Sequence, residues 1–121
     1  MKLGVSSPLQ HESPAQWARR HKELGLEAIN FSPNCEDNPA LVEEYVRAAR
    51  AQQLTIAEVG IWRNTLDPDE DARRKAVRFA VGQLELADRI GARCCVNIIG
   101  ARGRRWDGAY KDNYSRETWD L

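Results

Sequence analysis

Apolar and polar positions along this chain change period several times. Short runs at residues 2–6, 27–32, 55–62 and 94–99 are rich in β-branched and aromatic residues and read as strands. Between them lie longer stretches of helical period. The stretch 54–103 organises the rest: a β-rich run, a polar loop, a long helical pattern ending at Gly91, and a second apolar run. That is a βαβ unit, in which parallel strands need a crossover helix of nearly fixed hand.

Three helix starts share one signal. Ser13-Pro14, Asn38-Pro39 and Asp67-Pro68 each place a capping side chain beside a proline, and Gln16 is set to close a capping box on Ser13. The first helix carries Trp17, His21 and Leu24 at helical spacing and ends at Gly25. The second carries Leu41, Val42, Tyr45, Val46 and Ala49 and fades near Gln53. The third opens with the acidic turn Asp69-Glu70, which suits the helix dipole, and carries Val77, Ala80, Leu84, Ala87 and Ile90. Burying Val77, Leu84 and Ile90 against a sheet contributes roughly 1.5–3 kcal/mol each before entropy is subtracted. Residues 115–121 read as the first turn of a fourth helix.

This is an internal repeat of βα units, and the alternation within its strands sorts the side chains. Ala57, Val59 and Ile61 suit covering helices, as do Leu3, Val5, Ile29 and Phe31; Ile56, Glu58, Gly60 and Trp62 share the other face. Cys94, Val96 and Ile98 oppose Cys95, Asn97 and Ile99. The polar set Ser6, Asn30, Ser32, Glu58 and Asn97 then gathers near the C-terminal strand ends on the face away from the helices. An open sheet covered on both faces does not favour that segregation. A barrel with its chemistry at the C-terminal mouth does. The expected fold is α/β, with parallel βα repeats forming the first half of a TIM (β/α)8 barrel. Residues 1–121 make one partial domain of three βα units, a fourth strand and the start of a fourth helix.

Composition narrows the function classes. Lys plus Arg equals Asp plus Glu at 18 each, so no global field argues for nucleic acid or an anionic membrane. No window approaches the roughly 20 apolar residues of a membrane span, and the first residues lack a signal-peptide core, so a cytoplasmic protein is expected. Cys35, Cys94 and Cys95 have no CxxC spacing; they read as small core residues in a reducing compartment.

Glu58 is the sharpest single residue. A carboxylate facing a barrel interior is costly unless it is functional or paired with a lysine or arginine of a neighbouring strand, and both readings stand. Asn97 reads as a pocket hydrogen-bonder, and an Asn bridging two strands would look the same. Trp62 either closes the core or stacks on a sugar. The basic loop 101–106 suits a phosphate or carboxylate, but Asp107 and Asp112 balance it, and it carries neither GxGxxG nor a P-loop. His11 and His21 have no partner at metal-ligand spacing.

The segments AEVGIW (57–62), ADRIGARCCVNIIG (87–100) and WDG (106–108) resemble the sugar phosphate isomerase/epimerase family with its xylose isomerase-like TIM barrel. The resemblance implies the N-terminal half of that fold. It also implies a metal-dependent enzyme, with manganese or magnesium held by acidic residues and a histidine on later strands, where two glutamates move a proton through a cis-enediol. Those strands fall beyond Leu121, so no residue of this chain receives the metal or proton-transfer roles. What this half supplies is the wall of a site for a small sugar or polyol: Ser6, Asn30, Glu58, Trp62 and Asn97. A second reading is a half-barrel interaction module, without catalysis of its own, whose exposed sheet edges pair with a second copy or another chain. The related endonuclease branch is less similar, because its early strands carry metal-binding histidines that this chain lacks.

Overall fold

A computed structural model describes residues 1–5 and 9–121 of the chain. Its strands are β1 (Gly4–Val5), β2 (Ala28–Asn30), β3 (Thr55–Ile61) and β4 (Cys94–Asn97), shorter than the sequence runs that announce them. The helices are α1 (Pro14–Glu23), α2 (Pro39–Ala51), α3 (Glu70–Ile90) and the single turn α4 (Arg116–Trp119). The four strands form one sheet in the order β1-β2-β3-β4, every pair parallel. The protein is therefore α/β, built from alternating βα units.

The helix ends follow the sequence signals closely. Ser13 accepts from the Gln16 amide at 3.2 Å, and Gln16 reaches back to the Glu12 N–H at 2.6 Å, one residue earlier than a strict capping box. Asn38 caps α2 through the Ala40 amide. At α3 the cap is Asp69, which accepts from Ala72 at 2.7 Å, so Pro68 precedes the cap instead of following it. Gly91 ends α3 in the left-handed region at φ 73°, where a side chain would be strained. Ser115 caps α4 through Thr118, as its sequence suggests.

Strands that are neighbours in both sequence and sheet, joined by right-handed crossovers, carry their helices on one face. A single cluster follows from this. Trp17 and Ala18 of α1, Val42, Val46 and Ala49 of α2, and Leu86, Ala87 and Ile90 of α3 pack with Ile29, Phe31, Leu54, Ile56 and Val59. Leu3 and Leu24 stay outside it, 63% and 62% exposed.

Two facings differ from strict alternation. Ile56 joins the covered face beside Val59, because the β2–β3 register shifts between Ile29 and Asn30 and Ala57 is the extra residue of that bulge. Beyond it Glu58, Gly60 and Trp62 regain the open face. On α3 the buried stripe is Ala76, Phe79, Gln83, Leu86, Ala87 and Ile90. Val77 and Leu84, expected against the sheet, are 46% and 55% exposed, with Val81 between them at 50%. The helix carries two apolar stripes, and the one with the bulky Phe79 faces the strands.

Candidate functional site

The open face of the sheet is floored by small residues. Gly4 pairs with Ala28, and a Cβ on Gly4 would stand 2.8 Å from the Ala28 carbonyl oxygen. Above this floor, toward the C-terminal strand ends, the half-buried side chains of Asn30 and Glu58 face each other across β2 and β3; Asn30 Nδ2 donates to Glu58 Oε1 at 3.3 Å. Glu58 makes no ion pair among the described residues. The lysine or arginine partner considered for it is not what the sheet supplies.

Two clefts meet at Asn30. One, of about 400 Å³, lies on the sheet face between Lys2, Gly4, Ala28, Ala57 and Glu58. The other, of about 360 Å³, lies at the C-terminal strand ends, where Trp62 and Arg63 meet Phe31, Phe79 and Gln83 of the helix-covered side. Trp62 is 51% exposed, so it does not close the core. Its pyrrole edge rests over Gly60, where a Cβ would run into Nε1 and Cε2 of the indole. Lys2 is engaged by Thr55 Oγ1 at 2.6 Å, while Arg63 reaches Glu36 at 3.3 Å and lies 4.6 Å over the Phe79 ring.

Of the predicted wall residues, Asn30 and Glu58 line one cleft and Asn30 and Trp62 the other, so Asn30 is the link between them. Asn97 is a correction. The β3–β4 register pairs Glu58 with Cys94 and Ile61 with Asn97. Asn97 thus stands on the helix side, exposed at the end of β4, and Val96 takes the place beside Gly60. Ser6 lies outside the described residues. The basic loop after β4 works on the protein itself: Arg102 donates to the carbonyls of Leu66 and Asp67 at 3.3 and 3.2 Å, and Arg105 meets Asp107 at 3.3 Å.

Two polar clips escaped the sequence reading. Buried Gln83 on α3 donates to the Gly60 carbonyl at 2.7 Å and accepts from the Cys35 amide at 2.7 Å, tying the loop after β2 to the end of β3. Gly82 beside it lets Cys35 approach; a Cβ there would stand 2.9 Å from Sγ. Asn64 makes a two-way bridge to Ala101, donating to its carbonyl and accepting from its amide, both at 2.9 Å. The only sequence signal was a polar residue, Gln83, set within the buried spacing of α3.

Cys35, Cys95, Tyr45 and His21 are engaged in the protein's own packing. Burial, then the charge of Glu36, raises the Cys35 thiol; burial, then Cys94 and Glu58, raises Cys95; so neither is an activated nucleophile. Tyr45 is raised by burial and by Asp37, and its hydroxyl meets His11 Nε2 at 2.6 Å. His21 bonds the Trp17 carbonyl through Nδ1 at 2.8 Å and packs 5.2 Å from the Trp17 ring. Among the described residues no three His, Cys, Asp or Glu side chains converge as a metal would require, so these residues do not fit a divalent ion by themselves. No described helix is long and apolar enough to cross a membrane. Comparison with protein-family models, curated proteins and solved structures returns no significant match.

Proposed function

We propose that the chain is the N-terminal half of a xylose isomerase-like TIM barrel, from a cytoplasmic metal-dependent sugar (phosphate) isomerase or epimerase. The supporting observation is the segregation of the two sheet faces: the strand order runs without reversal, every long helix contributes to one core, and Asn30 and Glu58 pair on the other face, with Trp62 beside Asn30 at the strand ends. A doubly wound sheet would need helices on both faces. In this reading Trp62 offers ring surface to the carbon chain of a small sugar or polyol. Asn30 and Glu58 hydrogen-bond its hydroxyls and fix its orientation. In this reading the metal and the proton-transferring groups come from strands other than β1–β4. The test is a titration of the 15N-labelled protein with pentoses, ketopentoses and pentitols. Shifts concentrated on the Asn30 side-chain amide and the Trp62 indole are the expected result; a spectrum unmoved by the whole panel would sink the reading.

The exposed stripe Val77, Val81 and Leu84 and the outer strands β1 and β4 favour a second reading, a half-barrel that pairs with another copy or chain. Sedimentation across a wide concentration range separates the two. A dimer whose thermal stability rises with concentration would support the pairing module; a monomer throughout would remove self-pairing.

A further inference from the structure

We propose that Gly60 is a positioning residue that seats Trp62 over the strand, and that the portion of ligand held there is an uncharged, hydroxylated carbon chain and not a phosphate. The proposal rests on the sugar-site reading above and goes further by naming the charge class of what it holds.

Side chains on the open face otherwise project from every second strand residue. At Gly60 that projection is missing, and the indole edge of Trp62 fills it. The backbone beneath is fixed from the opposite side, because the Gly60 carbonyl accepts from buried Gln83. A half-exposed aromatic ring is thereby held at the C-terminal end of β3 within the cleft that Asn30 also lines. A ring surface beside an amide that is itself bonded to a carboxylate matches a chain of C–H and O–H groups: the ring covers the C–H side, and Asn30, with Glu58 behind it, meets hydroxyls.

A phosphate does not match. Asn30, which lines this cleft, donates to the Glu58 carboxylate, and a second anion drawn to the same amide is repelled by that charge. Arg63, the arginine of the Trp62 cleft, is paired with Glu36 and lies over the Phe79 ring, and Lys2 borders only the other cleft.

The test uses the indole N–H signals of the 15N-labelled chain, with Trp62 assigned through Trp62→Phe, and two probes, ribitol and inorganic phosphate. Gly60→Ala is expected to move the Trp62 signal before any ligand is added and to weaken ribitol binding at least about tenfold. Should that variant fail to fold, Trp62→Leu at the exposed position is expected to abolish the ribitol response at the Asn30 amide with an unchanged circular-dichroism spectrum. Inorganic phosphate is expected to leave Trp62 unmoved. A Trp62 signal and ribitol affinity both unchanged in Gly60→Ala, or a Trp62→Leu protein that binds ribitol normally, overturns this inference and leaves the sugar-site reading standing. Phosphate that shifts Trp62 or displaces ribitol overturns the charge assignment. Ribitol without effect on the wild-type chain overturns the ligand claim, and the function reading falls with it only when the whole sugar and polyol panel is also silent, while the seating of Trp62 is still decided by the unliganded Gly60→Ala spectrum.

Discussion

The two faces of one sheet differ in almost every physical respect. On the covered face Val59 is fully buried and Ile29 and Phe31 nearly so, beneath three helices. Aromatic rings interlock there: Trp17 lies 5.0 Å from Tyr45 and 6.3 Å from Phe31, edge to face. On the open face the strands carry Gly4, Ala28 and Gly60, with Asn30 bonded to Glu58 at 3.3 Å and Lys2 to Thr55 at 2.6 Å. The first face is built to hold, and its side chains have few alternative positions. The second leaves room and polar groups, which is what a ligand needs and stability does not.

Substitutions should separate the faces by size of effect. The largest is expected at Trp17, which is wholly buried. Trp17→Ala should cost about 3–5 kcal/mol in denaturant unfolding, enough to unfold much of a marginal chain. Trp17→Phe should cost clearly less. It keeps most of the ring and removes Nε1, a buried donor without a hydrogen-bond partner among the described residues. A Phe variant as unstable as the Ala variant would show that the ring contacts are not what hold this face.

Next in size are the clips that join the faces at the mouth. Gln83→Ala strands two partly buried backbone groups, the Gly60 carbonyl and the Cys35 amide, and should cost about 1–3 kcal/mol. Gln83→Leu should not recover it, since the loss is of hydrogen bonds and not of volume. Full recovery by Leu would mean that Gln83 acts by packing alone.

How much of this could be read from the sequence follows the same division. The elements were legible because caps, prolines and glycines act over a few residues: Ser13, Asn38 and Gly91 behave as their local chemistry demands. Facing was legible only while alternation ran undisturbed. Ile56 was misplaced because one extra residue at Ala57 resets the period, and nothing in the local sequence marks a bulge. Asn97 was misplaced for another reason. Its strand reads Cys-Cys-Val-Asn, with no strong apolar contrast between its faces, so the register to β3 decides. On α3, Val77 and Leu84 lost to the stripe with Phe79 and Gln83, since Gln83 is buried for partners distant in sequence. The Asn30–Glu58 pair was within reach because both residues break an apolar face at matching strand positions.

Alkaline pH should weaken the covered face before it touches the open one. Burial raises Cys35, Cys95 and Tyr45 in the folded state, so each keeps its proton there beyond the pH at which the unfolded chain releases it. Their contribution is intact below the ordinary thiol value of 9.0 and is lost as pH rises through the higher folded values. Stability measured by urea unfolding should therefore hold with respect to these groups up to that pH and fall above it. A Cys35→Ala, Cys95→Ala variant should show a shallower fall. An equally steep decline in that variant would assign the alkaline transition elsewhere.

The smallest stability effect is expected at Glu58, and that smallness sharpens the comparison. Its carboxylate is half-buried, accepts one long hydrogen bond from Asn30 and has no ion-pair partner among the described residues. Glu58→Gln keeps the shape and an acceptor oxygen while removing the charge, so unfolding should change by no more than about 0.5 kcal/mol. A residue kept for structure alone would lose stability here, and one kept for a ligand would not. The informative pairing is thus with Gln83, on the other side of the same strand, where an equally polar side chain is fully committed to backbone partners. A loss at Glu58→Gln as large as that at Gln83→Ala would make the open face a structural surface after all, and the contrast between the two faces would lose its functional meaning.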